Sequence, residues 1–386
     1  MRILIIPSWY PNSFTSIGGI FFKEQAEALA KYGHDVSVLS ISQYSVREIL
    51  KYKKIVFKNN DFIENGVATY TIEYPSIPKL HTLRDHISFY LFKRKFKKYV
   101  EKNGLPDIVH VHSFAAGKYA LWLKENYNIP YVTTEHFSGF ARGLLSETQI
   151  DLAKEVFSHS STNIAVSNEF KQLLENKFNL KFKYIPNIVN IDFFTPVLKS
   201  EDDRFKFINI ASLDENKNQK MLIQSFAKVF KDKNVRLTIV GDGPELQSLK
   251  NLIDELQMQE QITLFGRANR EEVKTLLQES DAFVLSSKYE TFGVVVIEAM
   301  SCGLPVIATK CGGPESIVRD KRVGLLTDID ENSLADLMKY LYENRDTYDS
   351  EYIAQYTKDK FSEEAVVAEL EEVYNDIIDS YNRKKQ

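Results

Sequence analysis

The feature that most constrains this chain is a regular alternation of short β-rich apolar runs with stretches of helical period. In the first half, ILII (3–6) precedes a stretch from Phe21 to Tyr32 whose apolar residues recur every three or four positions. Gly33 ends that helix before the next apolar run, VSVL (36–39). DIVHVH (107–112), YVTTEH (131–136) and NIAVS (163–167) follow, separated by helical segments, and the stretch from Phe57 to Tyr74 around Gly66 reads as a hairpin. The second half repeats the pattern with FKFINIA (205–211), VRLTIVG (235–241), ITLFG (262–266), AFVLSS (282–287) and PVIAT (305–309). Strand–helix alternation of this kind predicts parallel sheets with helices on both faces. The expected fold class is therefore α/β, with two doubly wound Rossmann-like domains.

Length agrees, because 386 residues suit two domains of ~100–200 residues each. The segment from Pro186 to Asp203 has two prolines, an acidic run and little periodicity, and reads as the linker. It divides residues 1–188 from a second domain over 189–367. The apolar run at the N-terminus is broken by Pro7 and Pro11, and no segment reaches the ~20 apolar residues of a membrane span. The only cysteines, Cys302 and Cys311, form no CxxC or Cys/His cluster, which argues against a disulfide framework or zinc and for a reducing cytoplasm. Net charge is −4 but unevenly spread, with +7 over residues 1–190 and −11 beyond. Either the first half faces something anionic or two solvated surfaces simply differ.

In doubly wound domains ligands bind beyond the carboxyl ends of the strands, where the strand order reverses. The loop after AFVLSS carries Glu290-Thr-Phe-Gly-Val-Val-Val-Ile-Glu298. Gly293 opens a helix there, so Phe292, Gly293 and Val294 can present backbone amides to a diphosphate. Glu298 falls more than a turn into that helix, where its carboxylate can accept hydrogen bonds from a ribose diol. Glu290, before the turn, is placed for a sugar hydroxyl.

The run continues as EAMSCGLPVIATKCGGPESIV, and here the sequence resembles the retaining GT-B glycosyltransferases of the family 4 group, also described as glycosyl transferases group 1. Their Glu-x7-Glu signature, small-residue helix, Cys-Gly-x-Pro and Gly-Gly-x-x-Glu all stand in order between 281 and 326. The resemblance implies a nucleotide-diphosphate sugar, most readily a UDP-sugar, held between the two domains. It also implies that a C-terminal helix over about 368–386 packs back on the first domain. Gly18 and Gly19 match the glycine pair whose amides approach the donor phosphates. His112, at the carboxyl end of its strand, matches a histidine beside the donor sugar, and Glu135-His136 a looser acidic-His element. Lys217 matches the lysine that neutralises the diphosphate, although Ser212 stands where many relatives have arginine. Gly266-Arg267 matches the position contacting the nucleobase, and Gly241-Asp-Gly243-Pro, Ser167 and Pro186-Asn187 match further family elements. The catalytic set implied is His112, Glu290 and Lys217. The donor set is Gly18, Gly19, His136, Lys217, Arg267, Phe292, Gly293, Val294 and Glu298.

Asp328-Ile-Asp330 has metal-motif spacing, but Asp330 precedes a helical run and reads as an N-cap, so neither a metal nor another cofactor is expected. The implied reaction is sugar transfer with retention to a glycan or lipid-linked acceptor in surface polysaccharide or glycoconjugate synthesis, by front-face attack without a dedicated base. A nucleotide-sugar 2-epimerase of the same fold is the alternative. An NAD oxidoreductase is disfavoured because no GxGxxG follows the first strand, and no nucleic-acid partner is expected. A non-catalytic nucleotide-sugar-binding subunit is argued against by intact Glu290, Glu298, Lys217 and His112. Finally, residues 84–100 place Phe89, Phe92, Phe96 and Tyr99 on one helix face and carry a net +5. That helix either lies peripherally on an anionic membrane at the inner face or packs its aromatics on the sheet with its lysines solvated.

Overall fold

The computed structural model describes residues 1–14, 18–76, 81–197 and 204–383, with the side chains of residues 47, 52, 81 and 82 excepted. The chain divides into two compact units, each an α/β layer structure. Unit 1 comprises Met1–Val166, Lys171–Ile188 and Val366–Gln386, and unit 2 comprises Ser167–Phe170 and Val189–Ala365.

Unit 1 holds β1 (Arg2–Pro7), β2 (Asp35–Tyr44), β3 (Lys58–Glu64), β4 (Val67–Pro75), β5 (Ile108–His112), β6 (Tyr131–Glu135), β7 (Thr162–Ala165) and β8 (Lys183–Tyr184). They form one sheet in the order β3-β4-β2-β1-β5-β6-β7-β8. Every neighbouring pair is parallel except β3–β4, the hairpin around Asn65-Gly66, which adds one antiparallel edge strand to the expected parallel sheet. Its core joins Ile3 and Ile5 of β1 to Phe22 and Leu29 of the helix Ile20–Lys31. Val366, Leu370 and Tyr374 of the last helix, Glu363–Arg383, belong to the same core.

Unit 2 holds β9 (Phe205–Ile210), β10 (Val235–Val240), β11 (Ile262–Gly266), β12 (Ala282–Leu285), β13 (Val306–Thr309) and β14 (Gly324–Thr327). This sheet is parallel throughout, in the order β11-β10-β9-β12-β13-β14. Leu222, Phe226 and Phe230 of the helix Gln219–Phe230 join Phe207, Leu237 and Val284 in its core. Two strands went unread in the sequence. β8 has two residues and β14 four, too few to show alternation. Of the stretch expected as a linker, residues 198–203 lie outside the described residues, while Phe194 is buried and Val189 bridges to Ser362.

The helix His81–Asn103 follows the second of the two readings of residues 84–100. Phe92, Phe96 and Tyr99 are fully buried, and Phe92 stacks on Tyr119 with ring centroids 4.2 Å apart. Phe89, half-buried, packs beside Tyr119 and Trp122, so this aromatic face is taken up by the protein itself. Among the described residues no helix is long and apolar enough to cross one.

Candidate functional site

In unit 2 the strand order reverses between β9 and β12, so the loops leaving their carboxyl ends share one crevice. These loops carry Lys217 and Glu290 and are stitched together. The Lys288 amide donates to the Asn216 carbonyl at 2.7 Å, Asn216 Nδ2 to the Tyr289 carbonyl at 2.9 Å, and Ser286 Oγ to the Lys217 carbonyl at 2.8 Å. Asp214 folds its own loop by accepting from the amides of Asn216 and Lys217. Behind that loop the Gly241-Asp242-Gly243 turn holds Leu213, whose amide donates to the Asp242 carbonyl at 3.1 Å. The result is an ion pair, with Lys217 Nζ 2.5 Å from Glu290 Oε1 and the two side chains only 22% and 14% exposed. The same carboxylate oxygen accepts from Ser287 Oγ at 2.7 Å.

The Gly-Gly-x-x-Glu run fixes the turn from the other side. The Glu290 amide donates to the Cys311 carbonyl at 2.9 Å, and Glu315 folds back to accept from the Gly312 amide. A Cβ at Gly313 would stand 2.4 Å from the Phe292 nitrogen, so only glycine lets these backbones meet. Phe292 turns its ring inward against Phe361, leaving its backbone to the loop. Gly293 caps the helix Val294–Ser301 at φ 97°, a left-handed conformation, and supplies no side-chain cap to its first amides. Those amides and the helix dipole suit an anion.

Glu298, on the same helix, lies 3.6 Å from Arg270 Nη1. Burial pushes its carboxyl above the ordinary value and Arg270 opposes that shift. Arg270 opens the helix Arg270–Gln278 and lies over the rings of Phe193 and Phe194, 5.3 and 5.0 Å from their centroids. Sequence reasoning missed it. The available signal was the capping box Asn269-x-x-Glu272, which makes Arg270 the first helical residue after β11. Ser287 and Asn216 were also missed, being ordinary loop residues until their partners are known. The Arg267 side chain is 68% exposed and pairs with Asp242 at 2.9 Å.

Unit 1 reverses its strand order between β1 and β5. Gly18 and Gly19 lie in the loop after β1, and Gly19 is the N-cap of the helix Ile20–Lys31. His112 ends β5 with its ring completely buried, stacked between Phe22 (4.6 Å) and His110 (4.3 Å). Its Nδ1 lies 3.1 Å from His136 Nε2. Burial lowers all three histidines, His110 and His136 to about 3, so each is neutral near pH 7. In a neutral pair one ring donates and the other accepts. Of the two buried nitrogens left over, His112 Nε2 and His136 Nδ1, one therefore carries a proton and the other a lone pair. His110 is held at both ends, by the Tyr374 hydroxyl at 2.6 Å and Thr134 Oγ1 at 2.7 Å. Glu135 turns inward instead of towards the strand ends, accepting from the amides of Phe114, His136 and Phe137. It shapes the loop that presents His136.

Each unit thus gathers its own share of the expected residues. Unit 2 brings Lys217, Glu290, Phe292, Gly293, Val294 and Glu298 to its switch point, and unit 1 brings Gly18, Gly19, His112 and His136 to its own. Asp330 caps its helix by accepting from the Ser333 amide at 2.9 Å, and Asp328 pairs with Lys310. Among the described residues no group of three or more His, Cys, Asp or Glu is placed to hold a metal ion.

Comparison with known proteins agrees with this layout. Residues 190–360 match the glycosyl transferases group 1 family and residues 18–193 match glycosyltransferase family 4. The chain is 25% identical to N-acetyl-alpha-D-glucosaminyl L-malate synthase of Bacillus anthracis, over 98% of each chain. Sucrose-phosphate synthase from Thermosynechococcus elongatus superposes with a TM-score of 0.81 at 20% identity, covering 98% of this chain and 100% of that one. Anabaena HepE in complex with UDP gives 0.74 at 18%, covering 97% and 100%. Two Rossmann-like units with these loops at their switch points define a GT-B glycosyltransferase. The chain belongs to the glycosyl transferases group 1, enzymes that use nucleotide-sugar donors.

Proposed function

We propose that the protein transfers a hexosyl group from a UDP-sugar, with retention of anomeric configuration, to a glycan or lipid-linked acceptor in surface glycoconjugate synthesis. The observation that carries this reading is the Lys217–Glu290 pair beside the uncapped helix at Gly293. The bond between the anomeric carbon and the diphosphate oxygen breaks as a bond to the acceptor hydroxyl oxygen forms, and the acceptor's proton passes to the leaving phosphate. Negative charge grows on that phosphate. Lys217 and the amides of Phe292, Gly293 and Val294 stabilise it, with one such donor worth ~3–4 kcal/mol. Glu298 accepts from the ribose diol, Glu290 meets a sugar hydroxyl, and His112 lies at the sugar with His136 as its ring partner. No general base is required, and no metal or other cofactor enters the scheme. The amides of Gly18 and Gly19 face the phosphates, and backbone at Arg267 meets the base. UDP as the nucleotide is supported by its presence on the similarly folded HepE. The two buried free thiols, Cys302 and Cys311, fit a cytoplasmic enzyme.

The experiment is incubation with a panel of UDP-, GDP- and ADP-sugars and candidate acceptors, reading the product anomer by NMR. Axial product from an axial UDP-sugar is the expected result. Inverted product would overturn retention, and interconversion of donor epimers without acceptor would replace transfer by 2-epimerisation.

A further inference from the structure

Between β2 and β3, unit 1 breaks the rule that large apolar side chains turn inward. The helix Val46–Tyr52 is firmly started by a capping box between Ser45 and Glu48, yet its Leu50 is 71% exposed. Further on, Val56 is buried, its amide donating to the Tyr44 hydroxyl at 2.6 Å and its carbonyl accepting from the same hydroxyl. One pinned residue in a non-helical segment throws its two neighbours outward, and Ile55 and Phe57 are 65% and 74% exposed. Lys53, Lys54 and Lys58 are exposed among them. Residues 47–58 hold five basic residues against one acidic.

A single exposed leucine would need no explanation. Here three large apolar side chains protrude within a short ordered segment, interleaved with lysines. Protruding apolar residues ringed by ammonium groups fit a surface that is fluid below and anionic on top.

We propose that this segment docks the protein on an anionic lipid bilayer. Leu50, Ile55 and Phe57 enter the boundary of the acyl chains while Lys53, Lys54 and Lys58 meet the lipid phosphates. The helix His81–Asn103, whose Phe92, Phe96 and Tyr99 are buried, comes near through Lys98, which pairs with Asp61 of β3. The functional meaning rests on the lipid-linked reading of the acceptor, but the docking itself does not.

The test is co-sedimentation of the full chain with phosphatidylcholine vesicles, with and without phosphatidylglycerol. Binding only to the anionic vesicles, falling steeply with salt, is expected. L50S/I55S/F57S should weaken partitioning at least about tenfold. K53S/K54S/K58S should weaken it on the order of a hundredfold, at about fivefold per charge. Unchanged circular dichroism and UDP affinity would show that both variants fold. No binding of wild type at low salt would overturn the proposal, as would binding that neither variant alters. Self-association abolished by L50S/I55S/F57S, without lipid binding, would assign the surface to a second copy instead. Transfer to a soluble acceptor, measured in parallel, keeps a failure of docking distinct from a failure of the transferase reading.

Discussion

Arg270 Nη1 stands 3.6 Å from Glu298 Oε1, though the two residues begin and continue different helices and nothing in their spacing links them. In the proposed site Glu298 accepts from a ribose diol as a carboxylate, and burial works against its ionisation. Arg270 restores the balance. Replacing Glu298 by Ala should weaken UDP binding about 10- to 100-fold, the cost of hydrogen bonds to a charged acceptor, by isothermal titration. Arg270→Gln should cost less at pH 8 and progressively more as pH falls, because the Glu298 carboxyl then protonates from a higher pH. Unchanged affinity in Glu298→Ala would remove that residue from the nucleotide site.

Lys217 should act mainly on the leaving group. Lys217→Ala is expected to lower kcat about 100- to 1,000-fold, since its charge matters most as the phosphate departs. Glu290 keeps its bond from Ser287 Oγ in that variant, so the loop should hold its shape. Rapid-quench turnover with saturating donor is the measurement, and a change confined to KM would place Lys217 in ground-state binding alone.

For His112 the expected split is the reverse of that for Glu298. His112→Ala should reduce turnover more than donor affinity, because the proposed reaction sets this residue beside the sugar as positive charge develops. An unaffected kcat with saturating donor and acceptor would count against the assignment.

Treatment with EDTA should leave activity intact. Asp328 and Asp330 are committed to Lys310 and to a helix cap, and in the proposed site the diphosphate charge falls to Lys217 and backbone amides. Activity lost to the chelator and restored by Mg²⁺ or Mn²⁺ would contradict this.

The histidine stack predicts an acid-sensitive unit 1. The folded values of His110 and His136, about 3, lie below the unfolded value of ~6.5. The unfolded chain therefore binds more protons between those limits, and stability is lost as pH falls from about 6.5, by up to ~1.4 kcal/mol per pH unit for each histidine. Glu135, raised by burial, acts in the opposite sense above the ordinary carboxylate range. Urea midpoints at pH 7 and 5.5 measure the net slope. Tyr374→Phe, which strips His110 of one partner, should cost ~1–3 kcal/mol at either pH.

How far the sequence could be read depends on the range of the interaction. Period and punctuation are local, so the alternation of strands and helices was legible, as were the glycine turn at 293 and the cap at Asp330. Glu290, Glu298 and the Gly312-Gly313 pair stood out because together they match the spaced motif of the family that the chain resembles. Arg270 did not, since its partner is chosen by the packing of two helices that share no pattern. At the helix 84–100 the sequence left two readings open. Its aromatic stripe was visible, but a stripe does not say whether core or lipid covers it, and Tyr119 and Trp122 decide that from elsewhere in the chain. The antiparallel pair of β3 and β4 was legible as a hairpin, because Gly66 marks its turn between two β-rich runs.

The last helix has a consequence for how the protein is made. Val366, Leu370 and Tyr374 complete a core whose other members begin at Ile3. On the ribosome, the first unit must therefore wait, its apolar surface open, until the helix Glu363–Arg383 has emerged. The second unit ends at Ala365 and can close slightly earlier, before that helix is complete. A fragment stopped at residue 188 should consequently require chaperones or aggregate, whereas residues 189–365 expressed alone should stay in solution.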